Sequence, residues 1–274
     1  QTKGESMAEL LYENKDGIGW IRFNRPELLN AFNPDEARAL VSTLKDAADD
    51  DSVKVIIISS VGKAFCAGDD LKVALDEYPL IKSGEIHPIL DIVEDITESL
   101  QEIPRIIRKA RKVVIAAVRG YAVGGGFEIA IDCDMIVAAE DAKFGFPEAN
   151  AGMTITGGAS KLLQMIVGLN KARELVLTGE FIDAAEGYRI GLVNRLVPIG
   201  KEEEEAERLA RVIMTRAPLA VVNHKRMLQN AAESGFEAAL EAEKQTITNL
   251  IYTEDYGEAI TAFGAKRQPK FKGR

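Results

Sequence analysis

The sequence predicts an α/β protein whose last third is all helical. Three observations carry that expectation. Two short, continuously apolar runs, "VKVIIISS" at 53–60 and "KVVIAAV" at 112–118, have the length and composition of strands buried on both faces. From residue 17 to about 198 such runs alternate with segments of helical periodicity, the order in which strands feed crossover helices. After Gly200 the strand signals stop and amphipathic helical patterns take over.

The elements follow in order. The opening "QTKGES" is polar, lacks an apolar stretch and precedes Met7, so it is taken as a cloning remnant, residues 1–6, outside the fold. Residues 17–24, "GIGWIRFN", alternate and are rich in β-formers: a strand. Asn33 is placed to cap the next helix, Pro34 suits its first position, and Glu36 stands three residues after the cap. Ala37, Leu40, Val41 and Leu44 mark its apolar face. "GKAFCAGDDL", 62–71, reads as a loop entering a helix. Residues 72–110 read as helical and heavily charged, a covering segment broken into pieces by Pro79, Pro88 and Pro104.

After the strand at 112–118, "GYAVGGG" is expected as a loop, "FEIAIDC" as a helix, "MIVAAE" (135–140) as a strand and "FGFPEANAG" as a turn. "TGGASKLLQMIVG" is a glycine turn entering a helix, "KARELVLTG" is helical, and "DAAEGYRIG" is a short helix leading to a strand at 192–198. Residues 7–200 thus form the α/β core, and 201–274 a helical region. There Ala206, Leu209, Ala210 and Ile213 share one face, behind a glutamate run that suits the positive end of the helix dipole. Phe236, Ala239, Leu240, Glu243 and Ile247 outline a second helix after Ser234, and these apolar faces need a partner.

Composition narrows the function classes. With 34 Lys+Arg against 43 Asp+Glu, the net charge of −9 argues against a nucleic-acid surface, which needs a basic face. Cys66 and Cys133 are far apart and form no CxxC, which suits a reducing compartment and a cytoplasmic location. His87 and His224 are the only histidines. Without an HxxxH or a Cys/His cluster no metal site is expected, and both histidines sit in segments unsuited to a Ser-His-Asp triad. No apolar run approaches the roughly 20 residues of a membrane span.

The chemistry is expected where three glycine-rich turns open helices: 62–71, 120–130 and 156–165. Amides at a helix N-terminus have no internal partner and favour negative charge, and glycine lets a substrate approach them closely. Two such turns brought together would offer convergent N–H donors to a carbonyl that becomes an enolate. For any single turn, a tight bend without further purpose is the simpler reading. Neither GxxxxGK[ST] nor GxGxxG is present. Glu128 follows the three glycines, and Glu148 comes 20 residues later behind Phe146 and Pro147, both in apolar company. Burial raises a carboxyl toward a value useful for proton transfer. Taken alone, Glu128 is more simply read as a partner for the helix dipole.

Together, "NRPELLNAF", "GKAFCAGDDL", "VVIAAVRGYAVGGGFEIAIDCD", "AKFGFPEANAG", "LVLTGEFIDAAEGYRIGLVNRLVP" and the tail "AITAFGAKRQPKFKGR" resemble the enoyl-CoA hydratase (crotonase) family in order and spacing, from Met7 to Arg274. The resemblance implies a crotonase-like spiral of ββα units with a C-terminal helical region that builds homotrimers, often paired into dimers of trimers. It implies an acyl-CoA thioester substrate, with coenzyme A part of that substrate and no separate cofactor. It places the oxyanion-hole amides at Asp69 and Gly125 and the two acids at Glu128, the base, and Glu148, the proton donor. It puts coenzyme A near Lys63, Ala67, Lys72 and Lys266, and the acyl end of the pocket near Thr156 and Gly157. Two departures stand out: Asp69 replaces a residue that is usually small, and Thr156 stands where proline is usual. The charged segment 72–110 is longer than in the simplest members and is expected to shape the acyl pocket. Keeping both glutamates favours hydration of a 2-enoyl-CoA to a 3-hydroxyacyl-CoA. Double-bond isomerisation, C–C cleavage after hydration and thioester hydrolysis are alternatives on the same scaffold. A non-catalytic RNA-binding or scaffolding role is the remaining reading, opposed by the net charge and by both glutamates.

Overall fold

The strand signals resolve into two sheets in the computed structural model, which describes residues 9–70, 83 and 87–274. The larger sheet has the order β1 (Leu10–Lys15), β2 (Ile18–Phe23), β3 (Val55–Ser60), β4 (Val113–Val118), β6 (Met135–Ala139), β9 (Arg195–Val197). β1 and β2 are antiparallel, and each later pairing in this sheet is parallel. The hairpin turns on Asp16 and Gly17, both with positive φ (51° and 83°), as a two-residue type I′ connection requires. β5 (Tyr121–Val123), β7 (Lys143–Gly145) and β8 (Ile182–Asp183) form the smaller sheet.

The helices are α1 (Pro34–Asp49), α2 (His87–Lys109), α3 (Gly125–Asp132), α4 (Ala159–Val167), α5 (Leu169–Thr178), α6 (Ala184–Arg189), α7 (Glu202–Met214), α8 (Pro218–Ala231), α9 (Phe236–Leu250) and α10 (Glu254–Gly264). Asn33 caps α1 as expected, its Oδ1 accepting the Glu36 amide at 2.8 Å. The Glu36 carboxylate turns away from the cap to a buried site 3.5 Å from Arg25.

The central strands are apolar on both sides because both sides are covered. Ile21, Phe23, Ile56, Ile58, Val114, Ala116 and Val118 face a core shared with α1, α2 and α3. Their sequence neighbours Ile18, Trp20, Val55, Ile57, Val113, Ile115 and Ala117 face α7, which supplies Ala206 and Ala210. The first apolar face of the helical region therefore finds its partner in the sheet itself. α8 is clamped to the same edge of the core. Lys225, only 8 % exposed, donates from Nζ to Asp134 Oδ2 at 2.7 Å and to Lys112 O at 2.8 Å. Asp134 Oδ2 also accepts the Val114 amide at 2.8 Å, and Asn194 Oδ1 accepts that of Ile136 at 2.7 Å.

Three expectations need correction. Pro104 lies inside α2 without ending it: the helix runs from His87 to Lys109. Proline removes one backbone bond, but Leu100, Ile103 and Ile107 around it are buried in the main core, and that packing holds the helix. The loop "GYAVGGG" and the turn "FGFPEANAG" each contain a three-residue strand edge, β5 and β7, which pair with one another. Lys72, Pro79 and the helical reading of 72–86 lie outside the described residues, apart from a helical Ser83. On α9 and α10, Phe236, Ile247, Ile260 and Phe263 remain exposed, the last at 86 %. Among the described residues no helix is long and apolar enough to cross a membrane.

Candidate active site

The site is assembled where the chain leaves the C-terminal ends of β3 and β4. The segment after β3 returns across β5: the Cys66 amide donates to Tyr121 O at 2.9 Å and the Val123 amide to Cys66 O at 3.0 Å. This contact leaves no room for side chains. A Cβ on Gly126 would lie 2.5 Å from Cys66 O, and one on Gly68, whose φ is 86°, would lie 3.0 Å from Val123 O. The glycines are therefore a packing requirement as well as a turn. On its other edge the segment pairs with Phe32, whose amide donates to Gly68 O and whose carbonyl accepts from Asp70 N. In an extended chain successive amides point to opposite sides, so the Asp69 N–H points away from Phe32. Gly125 is the first residue of α3, where an amide has no helical acceptor. Among the described residues neither the Asp69 nor the Gly125 amide has a hydrogen-bond acceptor.

Two acids face this pair of turns. Glu128, in the first turn of α3, is 2 % exposed. Its Oε1 accepts the amides of Gly157 at 2.7 Å and Thr156 at 2.9 Å. A Cβ on Gly157 would stand 3.1 Å from Glu128 Cδ, so glycine there permits the approach. Burial pushes the Glu128 carboxyl up to about 7; the Gly157 and Thr156 amides oppose this, and the charge of Glu148 adds to it. Glu148 lies on the short 3₁₀ turn Pro147–Ala151 and is 9 % exposed. Its Oε1 is 2.9 Å from where a Gly124 Cβ would be. Its Oε2 is enclosed, with no hydrogen-bond partner among the described residues. Burial raises it, its own backbone amide opposes this, and the Asp69 charge raises it further. The elements carrying the two acids are joined by their aromatic neighbours. Phe127 and Phe146 stack with centroids 4.5 Å apart at 25°.

The sequence reading missed one member of this group. Asp132 lies one helical turn after Glu128, buried, with neither carboxyl oxygen hydrogen-bonded among the described residues. Burial and the Glu128 charge hold its carboxyl well above the usual range. An acid four residues from Glu128 in an otherwise apolar helix was the available signal. Among the described residues no Lys, Arg or His forms an ion pair with Asp69, Glu128, Asp132 or Glu148.

Of the remaining expected residues, two join the acids and the others do not. Thr156 and Gly157, expected at the acyl end, commit their amides to Glu128. Lys63 is exposed on the loop, and the Ala67 amide donates to Leu29 O at 3.1 Å. Lys266 is exposed beyond α10 with a left-handed φ of 52°. Lys72 is outside the described residues.

The raised carboxyl of Glu128 has a thermodynamic consequence with a definite sign. A carboxyl held near 7 in the folded chain against an ordinary 4.5 stabilises the fold fully below pH 4.5, and that contribution is lost as pH rises through about 7. Glu128→Gln removes this dependence and keeps an oxygen for the two amides. The variant is expected to be more stable than the parent by about 1–3 kcal/mol at pH 8 and by little at pH 5. Urea denaturation at the two pH values checks this, and equal differences at both would contradict it.

Comparison with known proteins gives a consistent picture. A family model described as enoyl-CoA hydratase/isomerase matches residues 13–274. The chain is 34% identical to the 2,3-dehydroadipyl-CoA hydratase of Escherichia coli (strain K12), over 98% of this chain and 100% of that protein. It is 33% identical to the short-chain-enoyl-CoA hydratase of Clostridium acetobutylicum, over 98% and 99%. Among solved structures, the enoyl-CoA hydratase from Bacillus anthracis superposes with a TM-score of 0.87 at 29% identity, covering 97% of this chain and 100% of that one. A putative enoyl-CoA hydratase from Streptomyces coelicolor A3(2) gives 0.88 at 29% identity, covering 100% of both chains.

Proposed function

Because the chain belongs to the enoyl-CoA hydratase/isomerase family, we propose that it adds water across the double bond of a 2-enoyl-CoA thioester to form a 3-hydroxyacyl-CoA. The observation that supports the reading is two buried glutamates, Glu128 in the first turn after the glycines and Glu148 against Gly124, beside two amides with no acceptor among the described residues. In this reading the Asp69 and Gly125 amides hold the thioester oxygen, where negative charge develops as the enolate forms. Glu128 takes a proton from water as its oxygen bonds to the β-carbon. Glu148 gives its own proton to the α-carbon as the enolate collapses. Proton transfer within the pair, with net consumption of one water, restores the starting state.

The hydrogen bonds support this division of roles between the two acids. A glutamate pair this close to one reaction centre favours holding one proton rather than none. Glu128 Oε1 receives two backbone donors, which favour its anion, whereas Glu148 has only its own amide and an enclosed, unpaired oxygen. In this reading the pair's proton is assigned to Glu148 on the strength of those hydrogen bonds, against the burial that raises Glu128 to about 7.

Coenzyme A enters as part of the substrate, with Lys63, Ala67, Lys72 and Lys266 assigned to its phosphates and pantetheine. The exposed apolar side chains of α9 and α10 support burial against further copies of the chain, as a homotrimer or a dimer of trimers. Sedimentation at the monomer mass would remove that part of the proposal. The two free, buried cysteines fit a reducing, cytoplasmic setting.

The test is turnover of crotonyl-CoA and longer 2-enoyl-CoAs, followed by loss of the conjugated thioester absorbance and identification of the product. A 3-hydroxyacyl-CoA is expected. An isomerised double bond, a cleaved carbon chain or free coenzyme A in its place would assign the site to one of the related thioester reactions.

A further inference from the structure

The Asp69 amide can serve a substrate oxygen only while the Gly68–Asp69 peptide keeps one orientation, and the residue before it does little to enforce that. Gly68 stands at a φ of 86°, and a residue without a Cβ lets the adjoining peptide plane rotate at small cost. A half turn of this plane would exchange the N–H for the carbonyl oxygen and present the wrong end of the dipole to a developing negative charge. The opposing restraint comes from the neighbouring segment. Phe32 pairs in parallel with Asp69, and its amide donates to Gly68 O at 2.7 Å. In a trans peptide the carbonyl and the N–H point to opposite sides, so this bond aims the Asp69 N–H away from Phe32. Phe32 is in turn held by Arg25. Arg25 Nη1 donates to Ala31 O at 2.7 Å, and that oxygen belongs to the same peptide as the Phe32 N–H. Arg25 Nη2 lies 3.3 Å from Oδ2 of Asp70, the residue after Asp69, whose amide donates to Phe32 O at 2.7 Å. One guanidinium thus grips the residue before Phe32 and the residue after Asp69, across the pairing that orients the amide. Its remaining edges face Glu36 at 3.5 Å and Glu9 at 3.6 Å, and the side chain is 11% exposed. The turn that delivers Ala31 is strained: Leu29 and Asn30 both have left-handed φ, 53° and 55°. Buried Asn30 holds it in place, accepting the Arg25 amide at 2.7 Å and donating to Ala64 O at 2.7 Å and Val61 O at 3.0 Å.

We infer that Arg25 is a positioning residue for the Asp69 amide: by tying Ala31 to Asp70 it holds the Gly68–Asp69 peptide with its N–H turned to the site. The inference rests on the proposed hydration, which assigns the thioester oxygen to that amide, and deepens it. The carboxyls of Glu9, Glu36 and Asp70 cluster around the guanidinium and offset its charge, so orientation rather than a long-range field carries the effect. Arginine suits the task because its planar fork presents donors in fixed directions to Ala31 O and to Asp70 together. A lysine ammonium is a point charge on a flexible stem and does not fix the two acceptors relative to each other.

The experiment compares the full-length parent with Arg25→Lys, which keeps the charge without the fork, and with Arg25→Met combined with Glu36→Gln, so that the buried carboxyl of Glu36 is not left unpaired. Hydrogen exchange of the ligand-free protein, resolved by residue through electron-transfer fragmentation, reads the clamp itself. The Phe32 and Asp70 amides are expected to exchange about ten-fold faster or more in both variants. Absorbance of bound cinnamoyl-CoA, a conjugated thioester whose band moves to longer wavelength when its carbonyl oxygen is polarised, reads the consequence. The displacement is expected in the parent and is smaller in both variants. For hydration of crotonyl-CoA, kcat is expected to fall about ten-fold, less than the roughly 10²–10³-fold of losing a donor outright, and KM to change less. A residue that only secures the fold would lower the denaturation midpoint and leave the band and kcat of the folded protein alone. That result overturns the inference, as does unchanged exchange at Phe32 and Asp70, or parent behaviour in Arg25→Lys. The hydration reading fails separately. A parent that hydrates no enoyl-CoA and displaces no band, with faster exchange in the variants, sinks the reaction and keeps Arg25's hold on the Asp69 peptide. A parent that hydrates crotonyl-CoA, with band and kcat unmoved in the variants, keeps the reaction and sinks the role of Arg25.

Discussion

Replacing Glu128 or Glu148 by glutamine is expected to lower kcat for hydration of crotonyl-CoA by about two to four orders of magnitude, the range typical of losing a positioned acid or base. Glutamine preserves the volume of each side chain, and at residue 128 it preserves an acceptor for the Thr156 and Gly157 amides. What it removes is the proton transfer. Binding of coenzyme A, assigned to other residues, is expected to survive, so KM should change far less than kcat. In the proposed mechanism the two acids act on one water, so the double variant should be little worse than the poorer single one. Steady-state kinetics on the three variants decide the matter. Activity within a few-fold of the parent in either single variant would remove that residue from the mechanism.

The second large effect concerns the fold. Lys225→Ala is expected to destabilise the protein by about 3–5 kcal/mol, because it leaves the carboxylate of Asp134 without its cation in a largely buried site. It also removes the donor to Lys112 O and with it the tie between α8 and the beginning of β4. The double change Lys225→Met with Asp134→Asn keeps an acceptor for the Val114 amide and removes both charges, so it should recover much of the loss. Denaturant unfolding of the single and double variants measures the difference. A loss below about 1 kcal/mol in the single variant would mean that water replaces the lysine without strain.

The α/β spiral of ββα turns implied by the resemblance is the fold observed, and the parts that were legible in the sequence share a cause. β3 and β4 were readable because a strand covered on both faces is apolar along most of its length, with only Ser59 and Ser60 departing at the end of β3. α1 was readable because Asn33 and Pro34 are local signals. Local pattern failed where the decision was made at a distance. β5 and β7 have three residues each and exist because they pair with one another, 22 residues apart in register. α2 passes Pro104 because the surrounding core outweighs one lost bond. α7 looked like part of an appended helical region, yet its apolar face is one wall of the main sheet. The same division runs through the site. The glycines and both acids could be picked out, but dipole partner and proton acceptor are the same residue in a sequence. What distinguishes them at Glu128 is the amide pair contributed from 28 and 29 residues further on. Asp132 escaped notice because a single acid on an apolar helix looks like an exposed one until the neighbouring helices close over it.

The double covering of the central sheet has a cost in specificity. Where one side of a strand meets water, sliding it by one position exposes apolar groups and hides polar ones, so the slide is penalised. In β3 and β4 the same slide exchanges isoleucine and valine for valine, isoleucine and alanine, and the hydrophobic effect barely discriminates between the two alignments. The correct alignment must be pinned from outside the strands. The Ser59 hydroxyl donated to Glu203 fixes the end of β3, the carboxylate of Asp134 on the Val114 amide fixes the start of β4, and the side-chain amide of Asn194 on that of Ile136 fixes the neighbouring β6. A few polar side chains at the rim thus supply the information that a largely greasy interior lacks.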